Sequence, residues 1–394
     1  MALTLKHAMQ PDRTPDDVAR GRFVSGLRGF ILNDLAADLR TAYDVRASPA
    51  FAKTHGRSPA TSAEAHLALR GDPAFKTYSA CRVHAQKMVW DSVAPIVTRE
   101  RAAIEAAAAA TGTAGEVTID PDLALPQNIT ALDVHLMPGG YAGTPDYPLA
   151  AGAVYDQGLA IFSMGMMGAN LDDIGLTMAS YVRAAFPDFA PQAILDVGCT
   201  IGHNTLPWKQ QYPDADVHAV DVSAAGLLYG AARAKMQGAA VQFHQMDTEA
   251  LHFADSSFDL VFSSMFLHEL SKKTRAAYFR EAHRLLRPGG LLLNMELPPN
   301  SKMGAFEGFY LDWDCYYNNE PYYKGFRDED PRVLCHAAGF ADADYVQFVA
   351  PSIGLYGDGA IVAAARADHH EVNAETTGRL ADGVQWFGFG AWRA

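Results

Sequence analysis

Basic residues are in deficit in this chain of 394 residues: 32 lysines and arginines face 45 aspartates and glutamates, a formal net charge of −13 at pH 7. A nucleic-acid binder must displace counterions from phosphates with a positive footprint, so this balance excludes a dedicated nucleic-acid partner and favours small molecules. Cysteine is scarce. Cys81, Cys199, Cys315 and Cys335 are far apart and form no CxxC pair, which indicates neither a disulfide framework nor a structural zinc site; free, mostly buried thiols are expected. No window approaches eighteen uninterrupted apolar residues, and the segment MALTLKHAMQPDRTPDDVARGRF lacks a basic stretch leading into an apolar one. The expectation is a cytoplasmic protein with no membrane partner. Asn128-Ile129-Thr130 matches a glycosylation sequon but has no secretory route to use it.

What is present is a globular composition, 49% apolar and 20% charged, in a chain long enough for one large or two ordinary domains. Residues 14–110 carry helical spacing, with Phe23, Leu27, Phe30, Ile31, Leu35 and Leu39 as one amphipathic stripe. Pro95 is expected to kink or break the helix that follows. EVTID and ITALDVHLMPGGY read as short extended pieces, and residues 155–186 return to helical spacing. Beyond Pro191 strands at 193–197, 216–220, 241–245, 258–263 and 291–296 alternate with helices, which implies a parallel sheet covered on both faces. DYVQFVA and GAIVAAAR are placed as a closing antiparallel pair. The aromatic DGVQWFGFGAWRA has no periodicity and reads as a tail, with His369-His370 before it as a solvated pair.

In an open parallel sheet the ligand lies beyond the carboxyl ends of the strands. Here Asp196 ends the first strand and Gly198-Cys199-Thr200-Ile201-Gly202 turns into a helix. A dinucleotide fingerprint counted from Gly198 needs glycine where Thr200 and His203 stand, and no Gly-Lys-Ser/Thr follows for a phosphate loop. The pattern that remains is D-x-G-x-G-x-G, with Asp196, Gly198 and Gly202 matching and Thr200 replacing the middle glycine. VHAVDVS, QFHQMDTEALHFADSSFDLVF, FDLVFSSMFLHEL and LLRPGGLLLNMEL follow in order. In these motifs, over about residues 190–366, the sequence resembles the class I S-adenosylmethionine-dependent methyltransferases of the ubiquinone and menaquinone type.

The resemblance implies an α/β fold, a Rossmann-like seven-stranded methyltransferase sheet with a mainly helical N-terminal domain, and S-adenosylmethionine as cofactor. It assigns Asp196, Gly198, Thr200 and Gly202 to the cofactor loop, Asp221 with Val222 to the ribose, Asp247 with Thr248 to the adenine, and Ser263, at the end of the fourth strand, to the cofactor as well. The Thr200 hydroxyl either bonds the methionine carboxylate or caps the following helix. The domains expected are a helical cap or dimerisation domain over residues 1–165, the methyltransferase domain over 166–366 and a tail over 367–394.

Methyl transfer is an in-line displacement, and a base is needed only where the nucleophile keeps its proton. His268 and Glu269, just past strand four, are the candidate base and its neighbour, with Tyr155 closing over the reacting centre; the His-Glu pair equally suits packing. The aromatic stretch FEGFYLDWDCYYNNEPYYKGF supplies Tyr310, Trp313, Asp314 and Tyr317 as candidate acceptor contacts for a planar or cationic molecule, or an amphipathic helix packed on the N-terminal region. Met164, Met166 and Met167 read as core. No metal site is expected, although the acids near Asp312 keep one open. The function so read is methyl transfer to a small organic acceptor, with a homodimer through the N-terminal domain as the assembly. The alternatives are a non-methylating reaction on the same fold, such as cyclisation or decarboxylation, and a non-catalytic binding module.

Overall fold

The computed structural model describes residues 7–113, 116–144, 146–367, 371–380 and 383–394; the His369-His370 pair lies outside them. The described residues form one eight-stranded sheet: β1 Val117–Thr118, β2 Ala193–Val197, β3 Asp216–Asp221, β4 Gln242–Gln245, β5 Phe258–Ser264, β6 Leu286–Glu296, β7 Tyr345–Pro351 and β8 Gln385–Trp392. Their order is β1-β4-β3-β2-β5-β6-β8-β7. Neighbouring strands from β1 to β6 pair in parallel, while β8 runs antiparallel to both β6 and β7. The fold is Rossmann-like, as expected. One strand more than the expected seven is present because Val117 and Thr118, in EVTID, pair with Phe243 and His244 at the edge.

The closing strand pair is a correction. GAIVAAAR is not a strand but lies within the helix Asp358–Arg366, with Ile361 buried against the sheet. The partner of β7 comes instead from the segment read as a tail. That segment hid because β8 sits between two strands with both faces covered, so it shows no alternation. Gly390 in it has the Leu292 carbonyl oxygen only 1.8 Å from where a Cβ would stand.

The sheet is packed on both faces. Ile194, Leu260, Phe262 and Trp208 belong to one buried cluster, and Leu195, Val197, Val261 and Leu292 to the other. Along β2 and β5 successive residues thus alternate between the two cores. A third cluster joins the N-terminal helices to the helix Ala305–Tyr317, with Ile31, Leu32, Phe75 and Tyr78 on one side and Phe306, Phe309 and Trp313 on the other.

Within the N-terminal helices the buried stripe is displaced from its expected position. Phe23 and Phe30 are 61% and 50% exposed, whereas Val24, Arg28, Ile31, Leu32 and Leu39 are buried. The displacement begins inside the regular α-helix Pro15–Phe30, where Gly21, Val24 and Arg28 face inward, ahead of the two π-helical turns Ile31–Leu35 and Tyr43–Ala47. Pro95 lies inside the unbroken helix Pro73–Arg99, and the break falls at Glu100. Buried Val93, Ile96 and Val97 hold the helix through the proline. ITALDVHLMPGGY is not extended. It forms the short helix Gln127–Ala131 and a 3-10 turn Val134–Leu136 in which His135 has φ 57°. The helical spacing over 155–186 resolves into two helices, Ala150–Phe162 and Asp173–Ala185.

Candidate active site

The strand order reverses between β2 and β5, so the crevice at their carboxyl ends is the topological switch point. The loop after β2 crosses it with three left-handed residues in alternation: Gly198 (φ 79°), Thr200 (φ 52°) and Gly202 (φ 72°). Thr200 therefore occupies a glycine conformation with a β-branched side chain, which costs about 1–2 kcal/mol. Two features hold it there. The Thr200 backbone N–H donates to Asp221 Oδ2 at 2.9 Å, while Asp221 Oδ1 accepts from Ser223 N–H at 2.8 Å. On the other side Gly226 lets the helix Ala224–Met236 approach so closely that its Cβ would lie 2.8 Å from the Thr200 carbonyl oxygen.

Asp196 lies beneath this loop rather than in the crevice. It is buried, accepts from the Thr205 hydroxyl, and has Oδ1 without a hydrogen-bond partner among the described residues. Burial pushes its carboxyl up to about 7. Gly202 likewise packs away from the crevice, against the Phe243 ring.

Two cavities meet at the loop. The first, about 220 Å³, is lined by Asp221, Val222, Asp247, Thr248, Phe266 and Ile129 among others. Asp247 Oδ1 is engaged by the Glu249 N–H at 2.8 Å, and Thr248 Oγ1 is buried without a partner among the described residues. The second, about 250 Å³, shares Gly198, Asp221, Val222, Phe266 and Glu269 with the first and adds Thr200 and Tyr155. It lies between the sheet ends and the N-terminal helices. Ser263 belongs to neither: its hydroxyl donates to Asn294 Oδ1 at 2.8 Å in the core. One residue further along β5, on the opposite face, Ser264 lines the second cavity.

His268 is buried at this cavity with Nδ1 2.8 Å from Glu296 Oε2. The other oxygen of Glu296 accepts the Phe266 and Leu267 N–H groups at 2.8 and 2.6 Å. Burial opposes charge on His268, but Glu296 at hydrogen-bond distance, helped by Glu269 and Glu320, overcomes it and raises the imidazole to about 9. His268 is thus a held cation. Glu269 meets His135 Nε2 at 3.1 Å, and His135 Nδ1 meets Glu320 at 2.9 Å. These three side chains are also the one cluster among the described residues whose ligand atoms gather closely enough to hold a metal ion, within 4.8 Å; the imidazole already bridges both acids. The acids near Asp312 are otherwise engaged, Asp312 by Arg327 and Asn300.

Tyr155 lines the cavity beside Tyr141 and His203, ring centroids 5.8 Å from each. Burial and the neighbouring Glu269 and Asp221 hold its phenol protonated well above the usual range. Of the four candidate acceptor contacts, Tyr310 and Asp314 line the cavity. Trp313 and Tyr317 do not: the Trp313 indole donates to Ser79 Oγ at 2.8 Å, and the Tyr317 hydroxyl lies 2.8 Å from His66 Nε2, both inside the helical packing. Met167 also reaches the cavity.

Sequence reasoning passed over Arg28, Arg82, His135, Glu296 and Glu320. A signal existed for Arg28 alone, a charge placed three residues before Ile31 and four after Val24 on what the structure shows to be the buried face. His135 takes its place through an unusual backbone, whose carbonyl accepts from Gln86 and Trp90 at 2.9 and 2.8 Å.

Residues 194–290 match the family model described as a methyltransferase domain. The chain is 35% identical over 144 residues to the malonyl-(acyl-carrier protein) O-methyltransferase of Hahella chejuensis, covering 36% of this chain and 46% of that protein. It is 34% identical over 117 residues to the demethylmenaquinone methyltransferase of Thermus thermophilus, covering 30% of this chain and 52% of that protein. The chain thus spans about half the length of these curated relatives. The match covers the 198–202 loop, most of the first cavity's lining and the part of the second that faces the loop, and residues 194–290 are a methyltransferase domain of the class I, S-adenosylmethionine-dependent kind.

Proposed function

We propose that this chain transfers a methyl group from S-adenosylmethionine to a small organic acceptor enclosed in the second cavity. The observation that carries the reading is the continuity of the two cavities across the 198–202 loop, which would put a cofactor and an acceptor on either side of Gly198. The residues present fit the cofactor. A Cβ on Gly198 would lie 2.2 Å from the Phe266 ring, so the loop and that ring close tightly; Thr248 offers an unpartnered buried hydroxyl, and Asp221 a half-buried carboxylate at the junction. In this reading Gly198, Thr200, Asp221, Val222, Asp247 and Thr248 hold the cofactor, while Asp196, Gly202 and Ser263 support the loop and sheet from behind. When bound, the cofactor supplies an electrophilic methyl on a sulfonium.

The chain's own part is positioning and exclusion of water. Tyr155 and Tyr141 wall the junction as neutral phenols. His268, already protonated and bound to Glu296, is a positioning residue that fixes the Phe266–Leu267 turn through their shared carboxylate, not the base. Residues 1–165 form the cap over the acceptor, residues 166–366 the core domain, and residues 385–392 complete its sheet. Calorimetry with S-adenosylhomocysteine tests the cofactor site, with Asp221→Ala expected to weaken binding by at least about tenfold, as loss of a charge-assisted contact does. A labelled-methyl assay over candidate acceptors tests the transfer. Absence of cofactor binding by the unaltered chain would overturn the proposal.

A further inference from the structure

The two ends of the second cavity differ in charge. At the loop end stand Asp221, Glu269 and Glu320 with the imidazoles of His135 and His268. The far end gathers three guanidiniums around Tyr310. Arg379 lies 4.1 Å and Arg82 5.8 Å from the Tyr310 ring centroid, and Arg28 is close enough to feel both Tyr310 and the repulsion of Arg82. The carboxylate at that end, Asp314, is committed to Arg82 Nη2 at 2.7 Å.

Arg28 is 5% exposed, yet its bonds run to neutral oxygens: Nε to the Phe162 carbonyl at 2.9 Å and Nη1 to Gln86 Oε1 at 2.8 Å. Its guanidinium also stands 4.1 Å over the Phe162 ring. Arg379, half-buried over the Tyr310 ring, has its Nε buried without a partner among the described residues. A buried charge without a counter-ion is costly, and arginine presents a fork that matches planar oxyanions. Burial first and Arg82 second depress Arg28 to about 9, and the attraction of Asp314, which is bonded to Arg82, does not offset them.

We propose that the acceptor carries an anionic oxyacid group, bound by Arg28 and Arg379 at the end of the cavity away from the cofactor loop, so that its nucleophilic atom is turned toward the loop. This rests on the methyl-transfer reading above and narrows its substrate class to acids with an apolar or aromatic body that can lie against Tyr310 and Trp386, both of which line the cavity.

The test titrates benzoate, phenylacetate and phenyl phosphate, with benzamide and phenylacetamide as neutral counterparts, into the full chain loaded with S-adenosylhomocysteine, following intrinsic tryptophan fluorescence. The acids are expected to bind at least about tenfold more tightly than the amides, the difference a charge-assisted pair makes. Arg28→Gln and Arg379→Gln are each expected to reduce that preference to within about threefold while S-adenosylhomocysteine affinity is unchanged; because Arg379 is on a half-exposed loop, its variant serves if the Arg28 one fails to fold. Preference for the carboxylates over phenyl phosphate, or the reverse, identifies the acid. Equal binding of acids and amides, no acid binding at all, or a preference surviving the substitutions overturns the proposal while leaving methyl transfer standing. Failure to bind S-adenosylhomocysteine instead defeats the reading on which it rests.

Discussion

Replacing Glu296 with glutamine changes one atom's chemistry at a buried pair and is expected to destabilise the protein in a pH-dependent way. The amide oxygen can still accept the Phe266 and Leu267 N–H groups, which lie 2.8 and 2.6 Å from Glu296 Oε1. What disappears is the negative charge 2.8 Å from His268 Nδ1. With burial lowering and Glu296 raising it, the imidazole stands near 9 in the folded chain against an ordinary 6.5, which corresponds to about 3 kcal/mol of stability. His268 is 2% exposed, so solvent screens little of this. Because the folded value is raised, the contribution is fully present below about pH 6.5 and is lost as pH climbs through 9. Urea unfolding of Glu296→Gln and the unaltered chain at a series of pH values should therefore show a gap of about 3 kcal/mol near pH 6 that shrinks toward pH 10. His135, also held well above its ordinary value, with Glu320 and Glu269 outweighing its burial, contributes to both proteins alike and cancels in the difference. A gap that stays constant over that range, or widens, would refute the assignment of His268 as a held cation.

Thr200→Gly should raise stability by about 0.5–1 kcal/mol, the left-handed strain less the extra freedom glycine has when unfolded, measured by thermal unfolding with and without S-adenosylhomocysteine; a lower Tm would contradict the strain, and an unchanged cofactor affinity would dismiss a hydroxyl contact to the cofactor's carboxylate. Tyr317→Phe should cost about 1 kcal/mol in urea by losing the His66 hydrogen bond while leaving the acceptor KM untouched; a raised KM would return Tyr317 to the acceptor wall.

The sheet was legible because its strands are short apolar runs bounded by turn residues, and the loop because its spacing survives one substitution. β2 begins and ends where its pattern does, and Asp221 closes β3 as expected. Legibility fell where local pattern and tertiary placement part. Trp313 and Tyr310 are neighbours on one helix and both meet Arg82, yet Tyr310 lines the cavity while Trp313 is tied to Ser79 in the packing. β8 carries no period-two signal because both its faces are buried, Trp386 in one core and Phe387 and Phe389 in the other. His135, Glu269, Glu296 and Glu320 come from four separate segments, and nothing in any one of them announces the others.

The position of β8 also sets an order of events in time. β6 and β7 each lack a partner on their facing edges until residues 385–392 slide between them, so the growing chain must carry two open edges after β7 has been made. Trp386 in that strand donates to Asp173 Oδ2 at 2.8 Å and lines the second cavity. The same late insertion that seals the edges against wrongful pairing thus finishes the wall of the second cavity, and a nascent chain stalled before residue 385 has the crevice beyond β2 and β5 but not that wall.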